Sequence, residues 1–353
     1  MTGIRRVSQL GTTGESTYVD GSIQTADIAD GAIATVDIAA NAVTQAKLST
    51  DIPLSGMRNV LINGGMDIWQ RGTGSIAPAN GVMINTDRWV HTGTTTTFTQ
   101  QTDVPAGFRY SLGASGSDAT FGQKIEAANA VRLANQTVTF SVWAKSISGS
   151  RPLDVYFFYP VTVDNFASLV SISTTVASAS VSTSWARYTL TVTLPATVVN
   201  GLYILFGRSG SATNTYYTGA QLEIGPQATP FEQRPIGTEL ALCQRYYEIS
   251  NGLVQVTGGA TGFGGNTYWS WVGYKVEKRI ALNLVTNGTS NGVRVFATDG
   301  GSDYITMYKA ATQYYSVAEN FESWTTQGFG INTTSGQTDA GLGRFYWNAN
   351  AEL

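Results

Sequence analysis

Few residues in this 353-residue sequence have the types and spacing that covalent catalysis requires. Residues 288–292 read Gly-Thr-Ser-Asn-Gly, which matches the pattern around the nucleophilic serine of many hydrolases. Such a serine follows a strand, precedes a helix and is accompanied by a histidine further along the chain. Here we predict strands on both sides, and the single histidine, His91, lies far upstream. We therefore interpret the string as a turn, expect His91 to be structural, and predict no catalytic residue.

Metal and thiol chemistry is equally poorly represented. One histidine and one cysteine, Cys243, exclude the usual zinc sites and any internal disulfide. Asp299 and Asp303 flank a turn without the twelve-residue spacing of an EF-hand calcium loop. We predict no metal and no cofactor, and we interpret Cys243 as a small buried hydrophobic side chain. A glycan-cleaving enzyme with paired carboxylates stays an alternative, although the acidic residues occur singly.

Aromatic side chains in the C-terminal third are suited to binding rather than to catalysis. Sugar rings are held by aromatic faces together with planar polar side chains, and this region is rich in both. The candidate glycan-binding residues are Tyr268, Trp269, Trp271 and Trp324. The alternative is that these aromatics belong to a core or to a subunit interface.

Composition favours an all-β fold. The chain has 39 glycines, and only 13% of its residues are charged, against about 25% in an average globular domain. Thr, Ser, Asn and Gly fill the polar positions, which suits strands and turns better than helix surfaces. The net charge of −3, without basic clusters, predicts no nucleic-acid partner. No segment approaches the about 20 apolar residues of a membrane-spanning helix, so we predict no membrane insertion.

Residues 21–50 form a decapeptide repeat with a large aliphatic residue at every fifth position. These residues are Ile23, Ile28, Ile33, Ile38, Val43 and Leu48. A period of five fits neither a helix nor a strand, so each unit is predicted to be a short extended piece with a turn. One copy cannot bury a single apolar row, which favours a stalk in which several chains share these residues as a core. A flexible linker is the alternative.

The middle of the chain has the pattern of half-buried strands. Residues 137–145 place Val138, Phe140, Val142 and Ala144 on one side, and at least five more short segments alternate or are apolar in a similar way. Glycine- and serine-rich stretches separate them, which predicts a sandwich of two antiparallel sheets, with a jelly roll as its commonest form. The predicted parts are an anchor (1–20), a stalk (21–52), a jelly-roll β-sandwich (53–236), a short connector helix (237–248) and a second, smaller β-sandwich (249–353).

Several segments resemble a jelly-roll module of tail fibres and other appendages of tailed bacteriophages. They are residues 59–73, 86–89, 218–235 and 239–248, together with the stalk repeat and the ending Phe345-Tyr-Trp-Asn-Ala-Asn-Ala-Glu-Leu353. The resemblance implies a homotrimer located on the virion, joined to other virion proteins through its N-terminal residues, and binding glycan on the bacterial host. Two alternatives remain: a fibre that decorates the capsid or tail without a receptor role, and a glycan depolymerase.

Overall fold

The computed structural model divides the chain into two compact units, Met1–Ile52 and Pro53–Leu353. The described residues are 28, 33–38, 57–93, 96–116, 118–172, 179–209, 214–250, 254–256, 267–282, 292–296, 304–309, 312–317, 325–334 and 342–353. The Gly-Thr-Ser-Asn-Gly string lies outside them except for its last residue, Gly292, which begins a strand.

The first unit is described around the second repeat. Residues Thr35–Asp37 form a 3-10 turn, and the Asp37 carboxylate accepts a hydrogen bond from the Ala34 backbone N–H at 2.9 Å. The aliphatic side chains of Ile28, Ile33 and Ile38 are 46%, 56% and 43% exposed in the single chain. Ile23, Val43 and Leu48 lie outside the described residues. The shared core between copies stays a prediction.

The larger unit begins with a sandwich of two antiparallel sheets. Its strands are β1 (Val90–Thr92), β2 (Thr96–Gln101), β3 (Ser111–Gly116), β4 (Asp118–Ile125), β5 (Thr137–Ser146), β6 (Arg151–Thr162), β7 (Asn165–Ser171), β8 (Ala179–Val181), β9 (Ala186–Thr193), β10 (Leu202–Ser209) and β11 (Thr215–Ile224). One sheet has the order β1-β4-β10-β6-β7, with β8 also paired to β6; the other has the order β2-β3-β11-β5-β9. The sandwich prediction is confirmed. A short helix α1 (Ala127–Ala130) and 3-10 turns over Val131–Leu133 and Ala196–Asn200 connect strands.

The core of this sandwich lies between the facing sides of its two sheets. All four residues predicted on one side of β5 are buried there: Val138, Phe140, Val142 and Ala144. Aromatic rings fill the centre, where the Trp89 ring meets Phe121 and Phe206 edge to face at centroid distances of 5.6 and 5.4 Å. Edge-to-face pairs of this kind add stabilisation beyond the area that they bury.

The connector helix, α2, spans Ile236–Gln244 and buries Cys243, as expected for a small hydrophobic side chain. The predicted extent of 237–248 is wrong at its C-terminal end, where Tyr247–Ile249 form strand β12. The physical reason is pairing with the last strand: the Tyr246 carbonyl accepts a hydrogen bond from Ala351, and Tyr247 pairs with Asn350. No helix among the described residues is long and apolar enough to cross a membrane.

The C-terminal region folds as a smaller pair of sheets, as predicted. Beside β12 its strands are β13 (Val254–Val256), β14 (Thr267–Gly273), β15 (Gly292–Phe296), β16 (Tyr304–Lys309), β17 (Thr312–Val317), β18 (Gly328–Thr334) and β19 (Leu342–Asn350). The strand β19 pairs with β12, β13, β15 and β16, whereas β14 and β18 form a separate two-stranded antiparallel sheet. Val272 and Phe329 from the two-stranded sheet pack against Phe345 and Trp347 of β19 to make the core.

A buried charge cluster joins the chain end to the first sandwich. The Glu352 carboxylate pairs with the Arg88 guanidinium and, at 3.2 Å, with that of Arg71. Arg71 also pairs with Asp87 at 3.1 Å. The Arg88 guanidinium lies 3.4 Å from the ring centroid of Tyr246. Since all three ion pairs are nearly inaccessible to water, each charge depends on its partner.

We predict that Glu352→Ala strongly destabilises the fold, because it leaves two buried guanidinium groups short of a partner. The free energy of unfolding in urea should fall by about 3 kcal/mol or more. The matched control is Asp103→Asn, which breaks the exposed ion pair with Lys145 and should cost no more than about 1 kcal/mol. Equal effects of the two substitutions would contradict the assigned role of Glu352.

We also predict a pH-dependent contribution from Asp87. Burial raises the pKa of its carboxyl to about 7, although the Arg71 guanidinium opposes the shift. Between about pH 4 and about pH 7 the folded state therefore holds a proton that the unfolded chain has released, so this group's contribution to stability falls as pH rises. As pH rises through that interval, the free energy of unfolding of Asp87→Asn in urea should therefore increase relative to that of the unsubstituted protein. A constant difference between the two proteins would contradict the prediction.

Candidate functional site

The predicted aromatic residues of the C-terminal region reach the surface at Trp271. Tyr268, Trp269 and Trp271 all lie on β14, which pairs with β18 over its whole length. Trp271 is 43% exposed. The side chains of Tyr268 and Trp269 and the whole of Trp324 lie outside the described part of the chain. Of the four candidate residues, the described part of the chain therefore includes one side chain, the exposed indole of Trp271.

A larger surface lies on the first sandwich, on the side of the β1-β4-β10-β6-β7 sheet that faces away from the core. We call it the aromatic face and define it by Tyr156, Phe158, Phe166 and Tyr203. These rings belong to an apolar cluster that is distinct from the main core. The same cluster also contains Met83, Val90, Leu169 and Leu205. The floor residues Val90, Tyr203 and Leu205 are buried, whereas the rings of Tyr156, Phe158 and Phe166 remain half-buried.

Strand register explains how the rings come together. On β10, Leu202, Ile204 and Phe206 point into the core, so Tyr203 and Leu205 point outward. Tyr203 is paired with Phe158 and Leu205 with Tyr156 on the neighbouring strand β6. The rings of Tyr156 and Phe158 are nearly parallel, with centroids 6.4 Å apart, and Phe158 is likewise 6.4 Å from Tyr203. The result is a row of rings that crosses from one strand to the next.

A glycine lies beneath the aromatic face. Gly122 on β4 pairs with Leu205, and a Cβ atom added at Gly122 would lie 2.8 Å from the Leu205 Cδ2 atom. The added atom would lie closer still to the Ile204 carbonyl oxygen, so a larger residue would disturb the pairing of β4 with β10 as well as the Leu205 side chain. Gly122 therefore permits the close approach of these two strands beneath the aromatic face.

Polar groups sit at the border of the aromatic face. The Tyr203 hydroxyl and the Thr92 hydroxyl are 2.7 Å apart and share a hydrogen bond. Burial raises the pKa of Tyr203 to about 12, with the bond to Thr92 acting in the opposite direction, so the phenol is neutral at ordinary pH. The Lys124 ammonium lies 5.5 Å from the Phe166 centroid and donates to the Leu353 carbonyl at 2.7 Å. Burial lowers the pKa of this ammonium.

The sequence reasoning missed the aromatic face, although one signal for it was present. Residues 153–159 are among the short segments whose pattern predicts a half-buried strand, yet Val155 and Phe157 are apolar on one side and Tyr156 and Phe158 on the other. A strand that is apolar on both sides must cover a core and, with its other side, something else. That second apolar side is the aromatic face.

His91, the single histidine, is structural, as expected. It is buried, its Nδ1 atom lies 3.0 Å from the Pro78 carbonyl oxygen, and its ring packs against Phe98. It points into the sandwich from β1, whereas its neighbours Val90 and Thr92 face the opposite side. His91 therefore takes no part in the aromatic face.

No protein-family model matches the sequence, and no curated protein matches it. Among solved structures, the CBM22-1 xylan-binding domain of Paenibacillus barcinonensis Xyn10C is 14% identical over 44% of this chain and 96% of that one, with a TM-score of 0.31. A putative sugar binding protein from Bacteroides thetaiotaomicron is 10% identical over 48% of this chain and 100% of its own, with a TM-score of 0.34. Tailspike protein 4 of bacteriophage CBA120 is 19% identical over 47% of this chain and 21% of that one, with a TM-score of 0.31.

Proposed function

We propose that this protein binds glycan on the surface of a bacterial host through the aromatic face, as a structural protein of a bacteriophage virion. The single observation that supports it most is the row of half-buried rings on the outer side of a rigid sheet. Sugar rings present C–H groups that pack on aromatic faces, and their hydroxyl groups need polar partners at the border. The half-buried residues Thr92 and Lys124 place a hydroxyl group and an ammonium group at this border.

The strands that carry these rings are fixed by pairing on both sides. The strand β10 lies between β4 and β6 in the sheet, and its register with both is continuous. A platform on a central strand needs no ordering when ligand binds, which lowers the entropic cost of binding. This arrangement supports recognition of a sugar chain that lies over the half-buried rings of Phe158 and Tyr156, with Tyr203 beneath them as part of the floor.

The same observations favour binding over catalysis. The residues that define the aromatic face carry rings and hydroxyl groups, and burial holds Tyr203 in the neutral form. Asp154, two residues before Tyr156 on the same side of β6, is a buried carboxylate. Glycoside cleavage requires a carboxylic acid and a second carboxylate on opposite sides of the bond, so the residues described at this face support binding rather than cleavage.

The virion location and the homotrimer are further parts of the proposal. They are supported by the resemblance of the segments around Asn59–Thr73 and Thr218–Pro235 to phage appendage modules. They are also supported by Ile28, Ile33 and Ile38, which are exposed in the single chain at the spacing of the repeat. Three chains that bury these side chains together would form a stalk, with the N-terminal residues joined to other virion proteins and the sandwiches displayed.

Substitution of the face residues tests the glycan proposal. Phe158→Ala and Tyr156→Ala should each weaken binding to the recognised polysaccharide about tenfold, because each removes one stacking ring. Binding of the full chain to a panel of purified bacterial capsular and O-antigen polysaccharides is measured by calorimetry. The matched control is Val161→Ala, which truncates an exposed apolar residue on the same strand and should change nothing. Failure of the unsubstituted protein to bind would favour a decorating fibre, and release of reducing ends would indicate a depolymerase.

Light scattering tests the trimer. The full chain should have a mass three times its single-chain mass of 37.6 kDa. The combined substitution of Ile28, Ile33 and Ile38 by Asp should lower the measured mass, because charges cannot be buried in a shared apolar core. Val36→Asp is the control, since Val36 is 89% exposed in the same segment but lies off the five-residue row. A monomeric unsubstituted chain, or equal loss of mass with Val36→Asp, would contradict the stalk.

A further inference from the structure

Trp271 differs from the other tryptophans that the structure describes. Trp89 and Trp347 are buried, and Trp69, Trp143 and Trp185 are half-buried, whereas 43% of Trp271 is exposed. An indole is the largest apolar side chain, so leaving it in water sacrifices stabilisation that burial would provide. The position of Trp271 on a paired strand, rather than on a loop, makes this exposure a fixed feature of the surface.

The indole rests on a floor of main chain. Trp271 pairs with Gly330, and the next pair on the same side is Gly273 with Gly328. A Cβ atom added at Gly328 would lie 2.7 and 2.9 Å from the Cζ2 and Cε2 atoms of the indole, and 2.5 Å from the Val272 carbonyl oxygen. The ring therefore lies over Gly328, where a larger residue would displace it, and its opposite side faces solvent.

Hydrogen-bonding groups lie just beyond this floor. Both strands end at the glycine pair, and the segments beyond it are joined by two backbone bonds, from the Tyr274 N–H to the Gln327 carbonyl at 2.8 Å and from the Lys278 N–H to the Thr326 carbonyl at 2.6 Å. The Thr326 hydroxyl donates to the exposed Glu277 carboxylate at 2.6 Å. Glu277 keeps a second oxygen to accept hydrogen bonds from hydroxyl groups of a ligand.

We propose that Trp271 is a second, separate sugar-binding platform that takes a single pyranose ring. The C–H side of the ring would stack on the open side of the indole, and its hydroxyl groups would reach the Thr326 and Glu277 border. One indole on a glycine floor offers the area of one sugar ring, in contrast to the row of rings on the aromatic face. The inference rests on the proposed glycan function and adds a second site, so a bound polysaccharide would gain avidity from two contacts on each chain.

The test observes Trp271 directly. The full chain is labelled with 5-fluorotryptophan, the fluorine resonance of Trp271 is assigned with Trp271→Phe, and the methyl pyranosides of glucose, galactose and mannose are titrated in turn. We expect a saturable shift of this resonance with at least one of them, while the seven other tryptophans serve as internal references. Sorbitol, which has the hydroxyl groups but no ring, should leave it unchanged. No shift with any pyranoside, or an equal shift with sorbitol, would overturn the inference.

Two variants separate this site from the aromatic face. Gly328→Ala should weaken the pyranoside affinity about tenfold or more by displacing the indole. Gly74→Ala is the glycine control and should leave the affinity unchanged, because an added Cβ atom there meets nothing within 4 Å. Phe158→Ala should leave the Trp271 titration unchanged. Polysaccharide binding that depends on Phe158 with no response of Trp271 would refute this inference alone. A Trp271 response in a protein that binds no polysaccharide would refute the proposed function.

Discussion

The pairing of Arg88 with Glu352 is the constraint on which much of the larger unit depends. The two residues are 264 positions apart, and both side chains are almost completely buried. A buried guanidinium without a carboxylate is strongly destabilising, so the stability of the first sandwich depends on Glu352 being in place. The Arg88 guanidinium also donates to the Lys124 carbonyl on β4, at 2.8 Å. The chain end is thereby linked to a strand of the sheet that carries the aromatic face.

Asn63 performs a similar task with neutral groups. It has a positive φ of 57°, and its side-chain amide nitrogen lies 2.9 and 3.0 Å from the carbonyl oxygens of Ile68 and Asp87 and 3.1 Å from the Thr86 hydroxyl, three acceptors that share its two N–H groups. Its side-chain oxygen accepts the N–H groups of Asp67 and Ile68. Asparagine tolerates this backbone conformation better than most residues, and its short amide reaches all of these partners. Asn63 therefore joins the segments 59–73 and 86–89, together with the Arg71–Asp87 ion pair.

The sequence pattern predicted features that depend on residues close together in the chain, and it missed features that depend on contacts between distant residues. The inward side of β5 was predictable because alternation has a period of two and one side faces the core. The end of α2 was not, because Tyr247 leaves the helix to pair with Asn350, which is far away in sequence. The aromatic face required knowing that Tyr203 and Phe158 are neighbours. Trp271 was singled out by residue type, and its role in binding stays a prediction; its glycine floor comes from a strand more than fifty residues later.

The two outer sides of the first sandwich differ in how their polar groups are bonded. On the β2-β3-β11-β5-β9 sheet most outward side chains are polar, with the half-buried Trp143 and Tyr216 as aromatic exceptions, and the chain following β11 bonds to some of the polar groups. The Thr139 hydroxyl donates to the Gly225 carbonyl at 2.7 Å, and the Arg187 guanidinium to the Thr229 carbonyl at 2.6 Å.

The opposite sheet presents three rings whose burial is incomplete, next to one another on its outward side. Half-buried aromatics on a rigid sheet gain more from a flat apolar partner than from water. This difference between the two sheets supports the proposal that a glycan binds on the side where Tyr156 and Phe158 lie.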